Sequence, residues 1–359
     1  MLPISAMDAL SAAISRWKRL LFTDFRFGRL LKLGFITLLA ELSGGGTSGG
    51  NNFPGRHNAF DKLPHLSHAF RAEMFLFFVI AALIFFVIGI VIFYLSCRAK
   101  FAEFYIAASG DTRVGPPWGA FGRQTWRLFW TTFVVHLIAL FVLASVALPI
   151  VLMMKHHGVF SGQISLRQML AMFLLLLPLF FAWILAVQFA QMIIRDFMLP
   201  SWAMQDASVG QSWQIARAVI ESDGKAFAGY TLVKVGMHIG IGIASVLVFV
   251  AAILVSAIPL GGIGMAIFLP LQHAGTQGKV LMVLLLAALA VLAFAWILLL
   301  VCAIIGSAQL IFQCYAVEWF AARYPPLAAL MYPPPPAPPS EIPPPPPPEI
   351  PPMSAYPAT

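Results

Sequence analysis

Apolar residues fall into long, nearly unbroken runs along most of this chain. Five runs stand out, at roughly residues 72–96, 128–154, 168–194, 228–257 and 280–313. The last contains VLMVLLLAALAVLAFAWILLLVCAII, which has no charged residue. Since about 20 consecutive apolar residues cross the hydrocarbon core of a bilayer, the pattern predicts five membrane-spanning helices.

A sixth apolar segment, residues 25–42, is short and carries basic residues near its start. Its fully apolar part would extend only about 20 Å as a helix, and the whole segment about 27 Å. The hydrocarbon core measures about 30 Å, so the segment crosses only if its basic side chains snorkel to the interface. We predict a short first span, which makes six. A re-entrant or in-plane helix is the alternative.

Amphipathic segments flank the predicted spans. Residues 7–22 place apolar side chains at helical spacing, which predicts an interfacial helix anchored by Trp17, Lys18 and Arg19. A packed cytosolic helix is the alternative. Further along, Ser208 and the glutamine three residues later fit a capping box. They predict a helix over about 209–221, anchored by Trp213.

Proline dominates the end of the chain, in YPPLAALMYPPPPAPPSEIPPPPPPEIPPM. Proline has no amide donor and favours polyproline II, which predicts a disordered cytoplasmic tail over 323–359. Such a tail is either a spacer or a ligand for an adaptor with an aromatic groove. The predicted organisation is a cytoplasmic amphipathic helix (1–24), a six-helix membrane domain (25–322) and this tail. Prolines and glycines also predict a broken helix over 258–272.

Composition supports lipid as part of the solvent. The 359 residues are 60% hydrophobic and 10% charged, whereas soluble domains carry about 25% charged residues. The net charge of +8 is scattered along the chain, which argues against nucleic acid as a partner and favours anionic lipid headgroups. The three cysteines are widely spaced and form no disulfide framework.

Lysine and arginine set the orientation. With six spans and the N-terminus inside, 16 of the 22 basic residues lie on the inner side and 6 on the outer side. Positive residues concentrate in cytoplasmic loops. The sequence therefore predicts a bacterial cytoplasmic (inner) membrane protein with both termini in the cytoplasm. If residues 25–42 do not cross, only the N-terminus changes side.

Polar residues within the spans are the candidate site. Lys234 and His238 lie four residues apart on one helix face, and intramembrane ionisable groups are often functional. Other polar positions that could line a solute path, or could simply hydrogen-bond between helices, are His136, Gln188 and Gln191. Gly236 and Gly240 form a small-xxx-small pair that favours close helix packing.

Catalytic and metal-binding patterns are missing from the sequence. It has no H-E-x-x-H, no G-x-S-x-G and no phosphate-cradling G-x-x-x-x-G-K motif. The histidines of the predicted outer loops (His57, His65, His68, His156 and His157) have no accompanying thiolates or dense carboxylates. We therefore predict no enzyme, no metal and no cofactor.

Two segments carry a resemblance to a known group of proteins. These are WKRLLFTDFRFGRLLKLGFITLLAEL and DFMLPSWAMQDASVGQSW, in which Asp196, Phe197 and Pro200 form a turn followed by a helix bearing Trp213. Over about residues 10–320 the chain resembles uncharacterised bacterial and archaeal polytopic membrane proteins. These are distantly similar to the membrane domain fused to some glycerophosphodiester phosphodiesterases. The resemblance implies six helices and no assigned activity, and phosphodiesterase chemistry does not carry over.

Three classes of function remain. We predict a non-catalytic membrane protein, a lipid-associated scaffold or envelope-homeostasis factor whose tail recruits partners. The alternative is a transporter or channel for a small or lipidic solute, which would use Lys234 and His238. A lipid-modifying enzyme is disfavoured by the missing motifs.

Overall fold

The computed structural model describes residues 5–23, 25–42, 68–156, 166–273 and 275–333. Within these ranges the chain forms helices and turns without strands. Two π-helical turns, Ile194–Met198 and Val301–Gly306, interrupt the long helices. The α-helices are α1 Ala6–Phe22, α2 Phe27–Glu41, α3 His68–Ser109, α4 Gly115–Ala120, α5 Gly122–His156, α6 Leu166–Ile193, α7 Leu199–Gln205, α8 Val209–Ser222, α9 Gly224–Leu271, α10 Thr276–Leu300, α11 Ser307–Ala321 and α12 Pro325–Met331.

Five helical stretches are long and apolar enough to cross a membrane, which confirms the predicted all-α membrane fold. They are Leu76–Ser109, Gly122–Ile150, Leu176–Gln205, Gly224–Leu271 and Thr276–Ala321. Helix α2, the predicted first span, has only 15 residues. At 1.5 Å per residue it is about 22 Å long, well short of the hydrocarbon core. The described residues therefore hold five membrane-length helices, not the six predicted.

The long helices are buried at one end only. Helix α3 is covered from Ser96 to Ala108, and α11 from Leu310 to Ala321, whereas α10 has no buried residue. The short helices α1, α2, α7, α8 and α12 contribute to the same buried layer. We call it the packed layer. Beyond it the large apolar side chains of the spans are exposed, as expected where lipid is the neighbour.

Helix α1 packs inside the layer. Ser5 and Asp8 form a capping box at its start, and Ala9 and Ala13 are fully buried in the core. Its main neighbour is α11. The structure thus supports the packed helix that the sequence left as the alternative, because small residues let the two backbones approach closely.

The proposed anchors of α1 occupy different places. Trp17 is half-buried and its Nε1 donates to the Ser307 carbonyl at 2.8 Å. Lys18 and Arg19 are exposed, so an interfacial role for these two stays a prediction. Arg16 is buried, and its Nε lies 2.5 Å from a Glu318 carboxylate oxygen.

Helix α2 makes a backbone-to-backbone contact with the π-helical turn that joins α10 to α11. A Cβ built at Gly306 would lie 2.8 Å from the Gly34 Cα, and one built at Gly34 would overlap the Cys302 carbonyl. Only glycine fits at both positions. The contact pins α2 against the π-helical turn Val301–Gly306, so α2 belongs to the packed layer although it is short.

Two sequence predictions about helix ends are wrong. Helix α9 runs unbroken through Pro259 and Pro270 to Leu271, whereas the sequence predicted a break over 258–272. Each proline removes one backbone hydrogen bond, but in apolar surroundings an unbroken helix still satisfies most of the others.

In the predicted tail, residues 325–331 form α12 with Leu327 fully buried. The prolines that start α12 occupy its first turn, where no amide donor is needed. Residues 334–359 lie outside the described residues.

The helix predicted over about residues 209–221 is confirmed as α8. Ser208 and Gln211 form its capping box, and the helix spans Val209–Ser222. Trp213 on this helix is 47% exposed. Its role as an interfacial anchor stays a prediction.

Candidate functional site

A cavity of about 740 Å³ lies in the packed layer, between the end of α2 and helices α3, α6, α9 and α11. Polar and charged groups cover part of its wall. They are Glu41, Lys100, Gln188, Gln191, Arg195, Thr231, Lys234, His238 and Gln309. A second cavity of about 440 Å³ lies between α9 and α10 and is lined almost entirely by apolar side chains.

Arg195 links three helices beside the cavity. Its guanidinium pairs with Glu41 of α2, and its Nη2 lies 2.8 Å from Glu103 Oε2 of α3. Its Nε donates to Gln313 Oε1 of α11 at 3.2 Å. Arginine suits this role because its planar fork can serve several acceptors at once. The cation therefore holds two carboxylates of separate helices together.

Asp196, the next residue, contacts side chains of α9 instead. One of its oxygens, Oδ2, accepts from Tyr230 Oη at 2.7 Å and pairs with Lys234 of α9. Both Arg195 and Asp196 sit in the π-helical turn Ile194–Met198. Such turns insert a residue into a helix and recur at functional sites. Here the turn lets adjacent side chains of opposite charge reach partners on different helices.

Lys100, also on this wall, has no hydrogen-bond or ion-pair partner among the described residues. It is 3% exposed and lines the cavity. Gln191, on the same cavity, has an Nε2 that is also buried without an acceptor in the described chain. Both orphan groups are donors.

The cavity also has an apolar side that faces the surroundings of the protein. Leu185 and Phe189 of α6 line it and are 66% and 44% exposed; Val235 and Ile239 of α9 line it and are 51% and 60% exposed. We call these four residues the mouth. Since exposed apolar side chains on membrane-length helices are suited to lipid contact, we expect the cavity to open sideways toward the bilayer.

The depth of the cavity follows from the pairing of α5 and α6. Trp183 Nε1 donates to the Ala139 carbonyl at 2.8 Å. Counting equally along these antiparallel helices brings Arg195 level with Trp126 and Trp130, which are exposed. Exposed tryptophans mark the membrane–water interface. We therefore expect the charged wall to lie at headgroup depth, with Phe189 and Leu185 about 9 and 15 Å further along α6 from Arg195.

The structure brings together four of the five polar residues predicted from the sequence. Lys234, His238, Gln188 and Gln191 all line the cavity. His136 does not; its Nδ1 lies 2.8 Å from the Thr132 carbonyl of its own helix. That contact satisfies the ring locally, as expected for a polar residue in lipid.

The predicted glycine contact is found elsewhere. A Cβ at Gly236 or Gly240 would meet no atom of the described chain within 4 Å. The close backbone approach is made instead by Gly34 and Gly306. The outer-loop histidines predicted to be unsuited to metal lie outside the residues whose side chains are described.

Sequence reasoning missed Lys100 and Glu103 as site residues. It ended the second span at residue 96, so both fell in a predicted cytoplasmic loop, whereas α3 continues to Ser109. The signal was the run AKFAEFYIAA, whose apolar residues continue the helix past the membrane. The six-span prediction put Glu41 at the outer end of residues 25–42 and Arg195 at the cytoplasmic end of a later span, on opposite faces of the membrane. Their ion pair shows that this placement of Glu41 is wrong.

Five apolar membrane-length helices around a packed, partly charged layer define a multi-pass helical membrane protein. The chain belongs to a family of unknown function, DUF7544, whose family model matches residues 4–330. No curated protein and no solved structure matches the chain. The family match shows no link to glycerophosphodiester phosphodiesterases, so that similarity stays a hypothesis.

Proposed function

We propose that the protein is a non-catalytic, lipid-associated membrane protein that holds a membrane amphiphile in the cavity. The observation that supports this is the polarity of the wall. Its charged residues cluster around Arg195, which we place at headgroup depth, and the exposed apolar mouth lies further along α6 and α9. A lipid has the same order of polar and apolar parts along its length, so it could enter sideways without leaving the bilayer.

The size of the cavity is consistent with this proposal. Small-molecule sites typically measure about 300–1,000 Å³, and this one measures about 740 Å³. Such a volume accommodates a headgroup and the first carbons of its chains. The remaining chain length would lie against the exposed apolar faces of α6 and α9.

Blocking the mouth tests the proposal. Val235→Trp should fill the entrance, and the purified full-length protein should then retain much less lipid than wild type by mass spectrometry. Leu174→Trp, at an exposed position on α6 outside the cavity, is the matched control and should retain lipid as wild type does. Equal lipid retention by both variants would contradict the proposal.

Transport of a lipidic or small solute is the second candidate. The specific observation in its favour is that Lys234, His238 and Gln188 line one cavity. Flux of labelled lipid between leaflets of proteoliposomes would separate the two functions. A holding protein retains lipid without accelerating flux, and a transporter accelerates it.

We also propose a bacterial inner-membrane location with both termini in the cytoplasm. In support, α1 packs on α11 and α12 follows directly, so the two ends of the described chain share one side although α2 is too short to span. The chain that links α2 to α3 lies outside the described residues. In a cysteine-free background, Gln277→Cys should react with an impermeant maleimide on intact spheroplasts. Ser222→Cys should react only after permeabilisation. The reverse pattern would refute this orientation.

A cytoplasmic adaptor for the proline-rich tail is a further proposed partner.

A further inference from the structure

The partnerless Lys100 gives the cavity a specific chemistry. A lysine ammonium carries three N–H donors and no acceptor. Placing it 97% buried without a partner costs free energy, because buried charges are normally paired and hydrogen-bonded. Because Lys100 lines the cavity, a ligand there can supply the missing acceptors.

The other charges around the cavity are already engaged. Arg195 serves Glu41 and Glu103, and Lys234 serves Asp196. With Lys100, three basic residues face three acidic ones, so the formal charges of the cluster cancel. Attraction to a ligand is therefore local, from the donors of one ammonium, and not from a positive field over the whole cavity.

We infer that Lys100 binds the phosphate of a phospholipid whose acyl chains leave the cavity through the mouth. This inference rests on the proposed function and names the headgroup. A phosphodiester offers charged acceptor oxygens, and charge-assisted hydrogen bonds are about twice as strong as neutral ones. The donor of Gln191 lies on the same cavity and favours an acceptor as well.

The source of the phosphate matters, because free phosphate offers the same oxygens. Free phosphate makes no use of the apolar mouth formed by Leu185, Phe189, Val235 and Ile239. A phospholipid places its phosphate at the depth of Arg195 and its chains beside those side chains. The geometry therefore favours the lipid as the source.

The test measures binding of three probes to the delipidated full-length protein in detergent. The probes are phosphatidylglycerol, diacylglycerol with the same chains, and inorganic phosphate. The variants are Lys100→Met, which removes the ammonium at similar volume, and Lys225→Met, an exposed lysine outside the cavity. We expect phosphatidylglycerol to bind wild type and Lys225→Met alike. Lys100→Met should weaken it about 10- to 100-fold, as loss of a hydrogen bond to a charged group does.

A structural role for Lys100 predicts a different result. If its charge balances the carboxylates, Lys100→Met destabilises the lipid-free protein. If the Lys100 ammonium is instead unpaired until a ligand binds, the variant unfolds at the same or a higher denaturant concentration, because an unpaired buried charge has been removed. A lowered unfolding midpoint without lipid would overturn the inference.

Four other outcomes distinguish a failure of this inference from a failure of the proposed function. Equal binding of diacylglycerol and phosphatidylglycerol overturns the phosphate contact but leaves amphiphile binding intact. Binding of inorganic phosphate as tight as that of the lipid overturns the lipid as the source. Equal weakening by both lysine variants overturns the assignment to Lys100. Binding of no probe overturns the proposed function itself.

Discussion

Arg195 is the position where one substitution should do most damage. Arg195→Met keeps an unbranched apolar side chain but leaves Glu41 and Glu103, which are 16% and 0% exposed at their side chains, without their shared cation. Removing one member of a buried ion pair typically costs about 3–5 kcal/mol. We expect the free energy of unfolding to fall by at least about 3 kcal/mol, because two carboxylates lose their partner.

Denaturant unfolding in detergent, followed by tryptophan fluorescence, measures this loss. The matched control is Arg217→Met on α8, where Arg217 and Glu221 form a pair at 2.6 Å whose side chains are 63% and 60% exposed. Exposed helix pairs contribute about 0.3–0.5 kcal/mol. Adding Glu103→Gln to Arg195→Met should recover part of the loss, since it neutralises one stranded carboxylate. If Arg195→Met lowers stability no more than Arg217→Met does, the charged cluster does not hold the helices together.

Three further substitutions test contacts of the packed layer. Gly34→Ala should destabilise the protein by about 1–3 kcal/mol through overpacking. Gly240→Ala, at a position with open space, should be neutral or stabilising. Comparable unfolding midpoints for the two variants would refute the close contact of Gly34. Trp17→Phe should cost about 1 kcal/mol by removing the donor to the Ser307 carbonyl, and an unchanged midpoint would show that the bond contributes nothing. Leu327→Ala should cost about 2–5 kcal/mol and speed proteolysis just before the proline-rich tail; unchanged cleavage would show that α12 is not docked.

The sequence predicts the spans well because apolarity is a local property. Twenty residues without a charge have one stable environment, and the chain around residues 280–300 can be assigned without knowing its neighbours. The same holds for the capping box of α8, where Ser208 and Gln211 are three residues apart. Lys234 and His238 were found for a related reason, since a charge inside an apolar run stands out.

The missed features depend on partners distant in sequence. Lys100 and Glu103 look like loop residues until α3 is known to continue under the cover of α11. The role of Glu41 depends on Arg195, which lies 154 positions later. Hydrophobic periodicity also gives no sign that α12 would dock, because its seven residues stand beside a long run of proline. Long-range packing decides each of these cases.

The pairing of α1 with α11 has a consequence for biosynthesis. Arg16 and Glu318 are 302 positions apart, so α1 leaves the ribosome long before the helix that pairs with its buried arginine. Until α11 is made, α1 lacks its main packing partner. At about 5–20 residues per second, this wait lasts at least about 15 seconds. During that time the nascent N-terminus is a client for whatever chaperone or insertase shields it, and a chain truncated before α11 would present α1 to quality control as unfinished.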